Sequence, residues 1–172
     1  MFDNWYVVQV RTGKEEEIAK KLQFHIDHDV LLECFIPCCK RQKKFRGKWQ
    51  LVEEVLFKGY IFVITDKIDD LYTQLKKVPD LTKLLGNDGE EIFPVYPQEA
   101  LFLSRFSTEN HIVDFSKGYI NGDAISIIEG PLMGLEGHIT KIDRHKRVAY
   151  VDVNLLGRVS TVQVGLEIIS KD

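Results

Sequence analysis

The sequence predicts an α+β protein: a mixed or antiparallel sheet flanked by helices over residues 1–107, a linker over 108–121, and a small five-stranded β-barrel over 122–172. Three observations predict it. Apolar residues recur at helical spacing in three segments of the first part, each separated by β-rich runs. Helical periodicity then stops, and the rest of the chain is short β-rich runs divided by glycine, proline and polar turns.

Trp5-Tyr6-Val7-Val8-Gln9-Val10 is rich in aromatic and β-branched side chains and reads as a buried first strand. Thr12-Gly13-Lys14-Glu15 has capping-box spacing, which starts a helix there. Glu15, Glu16 and Glu17 suit its positive end, and Ile18, Ala19, Leu22 and Ile26 give it a core-facing side. Leu32 to Pro37 and Glu53 to Leu56 read as strands on either side of a basic segment, and Phe57 to Val63 as a central strand entered through Gly59. Asp66 is placed to cap a second helix whose apolar residues are Ile68, Leu71, Tyr72 and Leu75. Gly86-Asn87-Asp88-Gly89 supplies a turn, and Pro97 suits the first turn of a third helix running toward Phe106. Ser107 to Asn121 has only scattered apolar residues and reads as the junction. Beyond it, Ala124 to Ile128, Gly137 to Ile142, Val148 to Val153, Val159 to Val164 and Leu166 to Ile169 are the five barrel strands.

At 172 residues, with 44% hydrophobic and 28% charged side chains, the chain suits one medium domain or two small ones. No apolar run approaches the length that crosses a bilayer, and the opening Met1-Phe2-Asp3-Asn4-Trp5 has no basic segment leading an apolar one. A soluble, unexported protein with no membrane partner is expected. Three cysteines, Cys34, Cys38 and Cys39, are an odd number packed into one short stretch, which points to reduced cytoplasmic thiols rather than a disulfide framework.

The net charge is −3, yet Lys40, Arg41, Lys43, Lys44, Arg46 and Lys48 stand together with no acid among them. Phe45 and Trp49 interleave aromatic faces with these cations, a pattern that suits base stacking and phosphate contact. A solvated hairpin whose lysines prevent edge pairing accounts for the same pattern. A second cationic group, Lys141, Arg144, His145, Lys146 and Arg147, is interrupted only by Asp143.

The sequence has no phosphate-binding loop of the Gly-x-x-x-x-Gly-Lys-Ser/Thr type, no dinucleotide fingerprint and no Gly-x-Ser-x-Gly elbow. His25 and His28 with Cys34, Cys38 or Cys39 could supply nitrogen and sulfur ligands, but the spacing matches no zinc module. Neither a catalytic residue, nor a metal, nor a cofactor is expected.

Trp5-Tyr6-Val7-Val8 followed by Gly13 and a helix, Phe57-Lys58-Gly59-Tyr60-Ile61-Phe62-Val63, Val78-Pro79 and Leu84-Leu85-Gly86 resemble, in that order, the N-terminal NGN domain of the NusG family of transcription elongation factors. Gly122-Asp123-Ala124-Ile125, the run from Gly130 to Gly137 and Leu155-Leu156-Gly157-Arg158 resemble its C-terminal, SH3-like KOW barrel. The resemblance implies that the NGN domain binds the clamp helices of the largest catalytic subunit of RNA polymerase and holds the upstream DNA of the transcription bubble. Pausing is then suppressed by preferential binding to one polymerase conformation. By position, Phe57, Tyr60, Leu81 and Leu84 are the apolar pocket for those helices, while Phe62 and Val63 are core.

Two departures stand out. Lys58 replaces a usual proline, and Leu156 stands where general members carry a phenylalanine that meets Rho and a ribosomal protein, which weighs against those contacts here. The run from Val10 to Glu16 and the basic segment from Lys40 to Lys48 are more similar to LoaP-type antiterminators, which read an RNA hairpin in the nascent transcript. On that resemblance the nucleic-acid surface comprises Lys40, Arg41, Lys43, Lys44, Arg46 and Lys48, together with Lys141, Arg144, His145, Lys146, Arg147 and Arg158. The expected protein is a bacterial, cytoplasmic, monomeric antitermination factor. The alternatives are a general elongation factor of the same family and a ribosome-associated KOW protein.

Overall fold

The computed structural model describes residues 4–80, 82–86 and 92–169. In chain order the elements are β1 (Trp5–Gln9), α1 (Glu15–His25), β2 (Glu33–Phe35), β3 (Cys38–Phe45), β4 (Lys48–Val55), β5 (Tyr60–Ile64), α2 (Ile68–Leu75), β6 (Lys83–Leu84), α3 (Pro97–Phe106), β7 (Ile112–Val113), β8 (Ser116–Asn121), β9 (Ala124–Glu129), β10 (Ile139–Asp143), β11 (Val148–Leu155) and β12 (Arg158–Ile168). They divide between two compact units. Unit 1 contains Met1–Pro37, Phe57–Phe102 and Leu155–Arg158; unit 2 contains Cys38–Leu56, Leu103–Asn154 and Val159–Asp172.

Unit 1 is built on an antiparallel sheet in the order β2-β5-β1-β6. Side chains alternate across it, so the two faces have different compositions. Val8, Ile61 and Val63 join Ile18, Leu22 and Ile26 of α1 and Leu71 and Leu75 of α2 in one buried cluster. Trp5, Val7 and Phe62 occupy the opposite face, where Trp5 meets Phe35 edge-on at 5.1 Å and Phe35 stacks on Phe62 at 5.5 Å. Phe62 and Val63 are fully buried, as core residues should be.

The helix starts depart from the sequence expectation. Thr12 does not cap α1, whose first turn has no side-chain cap; instead Glu15 Oε1 accepts from the Gly13 N–H at 2.8 Å. Asp66 does not cap α2 either, and the Thr65 hydroxyl accepts from the Lys67 N–H at 3.0 Å in its place. Both starts keep a local side-chain acceptor but shift it by one residue or more. At α3, which begins at Pro97 as expected, Glu99 reaches back to the Tyr96 N–H at 3.1 Å. The same buried carboxylate accepts from Leu156 and Gly157 N–H at 2.9 and 3.1 Å, which ties the 155–158 turn into unit 1. The turn expected at Gly86-Asn87-Asp88-Gly89 lies largely outside the described residues.

In unit 2 the basic segment is itself a hairpin, the second of the two readings its pattern allowed. β3 and β4 pair from Cys38 with Val55 to Phe45 with Lys48, closed by Arg46 and Gly47, both at positive φ. Two positive φ values are what a two-residue hairpin turn matched to strand twist requires. β7 pairs with β3 only at Cys38 and Cys39, so the sheet order is β4-β3-β7.

The C-terminal strands form a curled half-barrel sheet in the order β10-β11-β12-β8-β9. Its fifth strand is not the one expected. Val159 to Val164 and Leu166 to Ile169 merge into the single strand β12, and β8 comes from the segment read as linker. Ser116 and Gly118 of β8 are buried where large apolar residues would mark a strand, because a Cβ on Gly118 would lie 2.6 Å from the Ser126 carbonyl oxygen. Gly165 likewise reads as a break but is a point of close approach: its Cβ would stand 2.4 Å from the Lys40 carbonyl oxygen and 2.3 Å from the Phe115 ring. Beside it, the Cys39 thiol donates to the Gln163 carbonyl at 3.3 Å. These contacts seat the root of the hairpin on β12.

Candidate functional site

Two places in the molecule gather the residues singled out from sequence. The first, in unit 1, is the corner that leads into β5. Gly59 sits at φ +82°, donates its N–H to Glu15 Oε2 at 2.8 Å and accepts from the Val10 N–H at 2.7 Å. A Cβ there would come within 3.1 Å of the Val10 carbonyl oxygen, so a side chain would be crowded, and the positive φ would strain it whatever the space. Glu15 thus holds the start of α1 and the corner with one carboxylate, itself only 4% exposed. Each N–H it satisfies would cost about 1–3 kcal/mol if left buried and unpaired.

The corner orients Phe57 and Tyr60, whose rings stack at 6.5 Å, with Phe57 tilted against Phe62 at 5.6 Å. Phe57 is 5% exposed and Leu84 7%, so the expected apolar pocket is not open in this conformation; Tyr60 is half-buried. Leu81 lies outside the described residues.

The second place, wholly in unit 2, is a cleft of about 600 Å³ between the hairpin and the turn that joins β10 to β11. Lys43, Lys44 and Arg41 come from β3, and His145 and Lys146 from the turn. Trp49 adds an aromatic surface, Gln42 and Gln163 line the remainder, and no carboxylate is among the lining residues. The turn is preformed: Asp143 Oδ1 accepts from the Lys146 N–H at 3.0 Å, which directs the one intervening acid at backbone.

Arg147 joins the two walls. Its guanidinium lies 4.0 Å from the Trp49 ring centre, donates to Gln42 Oε1 and stands 3.7 Å from Glu167. Such a stacked, paired arginine is a structural fastener more than a free cation. Arg41 is similar. Only 11% of its side chain is exposed, it pairs with Glu54 at 2.6 Å, and its Nε is buried without an acceptor. Lys43 also pairs with Glu54, and Lys40 with Asp114 at 3.5 Å. Burial works to raise the Glu54 carboxyl, but hydrogen bonds from Lys43 and Arg41 and their charges outweigh it and hold the group below the ordinary carboxylate range.

The twelve expected cations therefore separate by environment. Among the described residues no acid pairs with Lys44, Arg46, Lys48, Arg144 or Lys146. Lys44 stands over Trp49 at 5.7 Å and Lys141 over Tyr150 at 5.3 Å. Arg46 and Lys48 lie at the hairpin tip, and neither they nor Lys141, Arg144 and exposed Arg158 line the cleft. Trp49, singled out in the sequence as a stacking face, does line the cleft, whereas Phe45 does not. Gln42 and Gln163 were not assigned to a site, although Lys44 pairing directly with Trp49 places Gln42 on the same strand beside them. Nothing local signals Gln163, which comes from more than a hundred residues away.

The cysteines have a structural environment. Burial, with Glu33 nearby, pushes the Cys34 thiol up to about 12. Burial does the same to Cys39, up to about 12, against the opposing pull of Arg41. Neither forms thiolate at neutral pH, so neither is a ready nucleophile or metal ligand. Among the described residues no group of three or more His, Cys, Asp or Glu could hold a metal ion.

An antiparallel sheet with helices on one face, followed by a curled five-stranded half-barrel, is the two-part architecture of an NGN unit and a KOW unit. The comparisons with known proteins agree. Residues 3–103 match the family model NusG, described as transcription termination factor nusG, and the chain belongs to that family. Its full length is similar to the transcription termination/antitermination protein NusG of Bacillus subtilis, 26% identical over 178 aligned positions that cover 99% of each chain. The protein of the same name from Haemophilus influenzae is 26% identical over 93% of this chain and 89% of its own. A solved structure described as domain interaction in Thermotoga maritima NusG shares the fold, with a TM-score of 0.52, 24% identity, and coverage of 96% of this chain and 93% of that one. As a member of this family the chain is a transcription factor and not an enzyme.

Proposed function

We propose that the protein is an elongation and antitermination factor that binds the clamp helices of the largest RNA polymerase subunit in the bacterial cytoplasm, acting as a monomer. Residues 1–107 are the polymerase-binding module, residues 122–172 the recruiting module, and 108–121 their connection. The carrying observation is that a chain alignable end to end with proteins named for termination and antitermination keeps, at its Phe57 to Tyr60 corner, a stacked aromatic pair fixed by a buried carboxylate. Because Phe57 and Leu84 are buried, docking through them requires the corner to open; Tyr60 is the part available first. Upstream DNA is held by the same module.

Within that function, the names of the relatives favour a general elongation factor that couples polymerase to other machinery. A narrower reading, recruitment by an RNA hairpin as in LoaP-type factors, draws support from Lys44, Arg144 and Lys146, exposed cations with no acidic partner among the described residues. Leu156 does not favour a Rho or ribosomal contact, since it is 1% exposed.

Purified RNA polymerase in a transcription assay tests both levels. Pause suppression that Tyr60→Ala weakens severalfold supports the polymerase-binding reading, and no effect of the full chain on pausing refutes it. Readthrough that depends on a leader hairpin selects the narrower role; stimulation of termination by Rho selects the general one.

A further inference from the structure

The two cationic groups are about a hundred residues apart in sequence. Unit 2 brings part of each to opposite walls of one cleft, Lys43 and Lys44 on the hairpin and His145 and Lys146 on the turn. We propose that this cleft is a single site for a single-stranded phosphodiester chain, in which neither wall suffices alone.

Three features carry the assignment. The lining has four cationic side chains and no acid, in a chain with more acids than bases, so the local potential opposes the net charge. A volume of about 600 Å³ is the size of a ligand pocket, and it accepts a nucleotide or two of a strand but not a duplex. Trp49 provides a ring face beside phosphate-binding cations, the combination by which sequence-tolerant single-strand sites work.

The walls are also fixed before any ligand arrives. Arg147 bonds Gln42 and covers Trp49 from the turn side, while Cys39 and Gly165 hold the hairpin root against β12. Arg147 is therefore a positioning residue, and Lys44 and Lys146 are the side chains left to meet phosphate. Both are exposed and neither has an acidic partner among the described residues. The assignment rests on the RNA reading only for which nucleic acid supplies the strand.

The test is anisotropy of the full chain with a fluorescein-labelled unstructured RNA, the same sequence as DNA, and an RNA duplex without a loop. Lys44→Gln and Lys146→Gln should each weaken single-strand binding about tenfold and lower the slope of log affinity against log salt by about one, since each removes one phosphate contact. Lys20→Gln and Lys77→Gln, exposed lysines of unit 1 that belong to neither cationic group, should stay within about twofold of wild type. Equal affinity for RNA and DNA assigns the site to the phosphodiester chain itself, and preference for RNA adds a contact to the 2′-hydroxyl; both support the site. Strand binding that survives Lys44→Gln or Lys146→Gln unchanged, or duplex bound as tightly as single strand, overturns the cleft and leaves hairpin recruitment by other residues standing. No binding to any of the three probes overturns the cleft, while hairpin recruitment falls only if readthrough is independent of the leader hairpin.

Discussion

The aromatic corner of unit 1 and the cationic cleft of unit 2 were both legible as chemistry, yet they differ in what the chain leaves available. At the corner, Phe57 and Leu84 are withdrawn from solvent, and what holds them is packing around a backbone bend. At the cleft, the cations that are withdrawn, Arg41 and Arg147, each have an acidic partner, whereas Lys43 keeps its exposure beside Glu54, and Lys44 and Lys146, with no acidic partner among the described residues, are exposed. An apolar residue is made unavailable by burial; a charged one is made unavailable by neutralisation. Counting residue types in sequence therefore overestimates both surfaces, for different reasons.

The sharpest way to break that contrast is a pair of truncations. Phe57→Ala should lower unfolding free energy by about 3–5 kcal/mol, as loss of a buried ring does, while Lys44→Ala should change it by less than about 0.5 kcal/mol. Urea denaturation followed by circular dichroism measures both, and a near-neutral Phe57→Ala would show that the corner is already loose. Next in size is the carboxylate beneath the corner. Glu15→Ala leaves the Gly13 and Gly59 N–H groups without their acceptor and should cost about 2–4 kcal/mol; Glu15→Gln, which keeps one acceptor oxygen, should cost about half as much in the same measurement.

A third effect belongs to unit 2. Glu54→Gln should destabilise it by about 2 kcal/mol at neutral pH, less than a fully buried ion pair because Glu54 and Lys43 retain solvent access. Since the folded Glu54 carboxyl is held below its ordinary value, its contribution is complete above about pH 5 and fades as pH falls through the folded value. Melting curves of wild type and Glu54→Gln should accordingly converge as pH falls below the ordinary carboxylate range, and a gap that is independent of pH would assign the effect to packing instead.

Much of the fold was readable because it follows from period and punctuation. The helix faces of α1 and α2, the proline start of α3 and the strands β1 and β5 all express one local rule each. The failures share a cause: they are places where a distant backbone decides the residue. β8 is written in small residues because β9 approaches it closely, and Gly165 reads as a break although it lies inside an eleven-residue strand. In the site, individual cations and Trp49 were visible but the acids that neutralise some of them were not, because Glu54 and Glu167 become relevant only once the hairpin folds back and Arg147 meets it.

The hairpin's attachment has one more implication. The hairpin is anchored at the base, where Cys39 and Lys40 meet Gln163 and Gly165, and further out by Arg147 at Gln42 and Trp49, while its far end is a bare two-residue reversal at Arg46 and Gly47. Residues can be added in pairs at that free end without disturbing these contacts. Such an arm can change reach while its foundation stays put, and so offers evolution a graded adjustment of how far the protein extends toward whatever it touches.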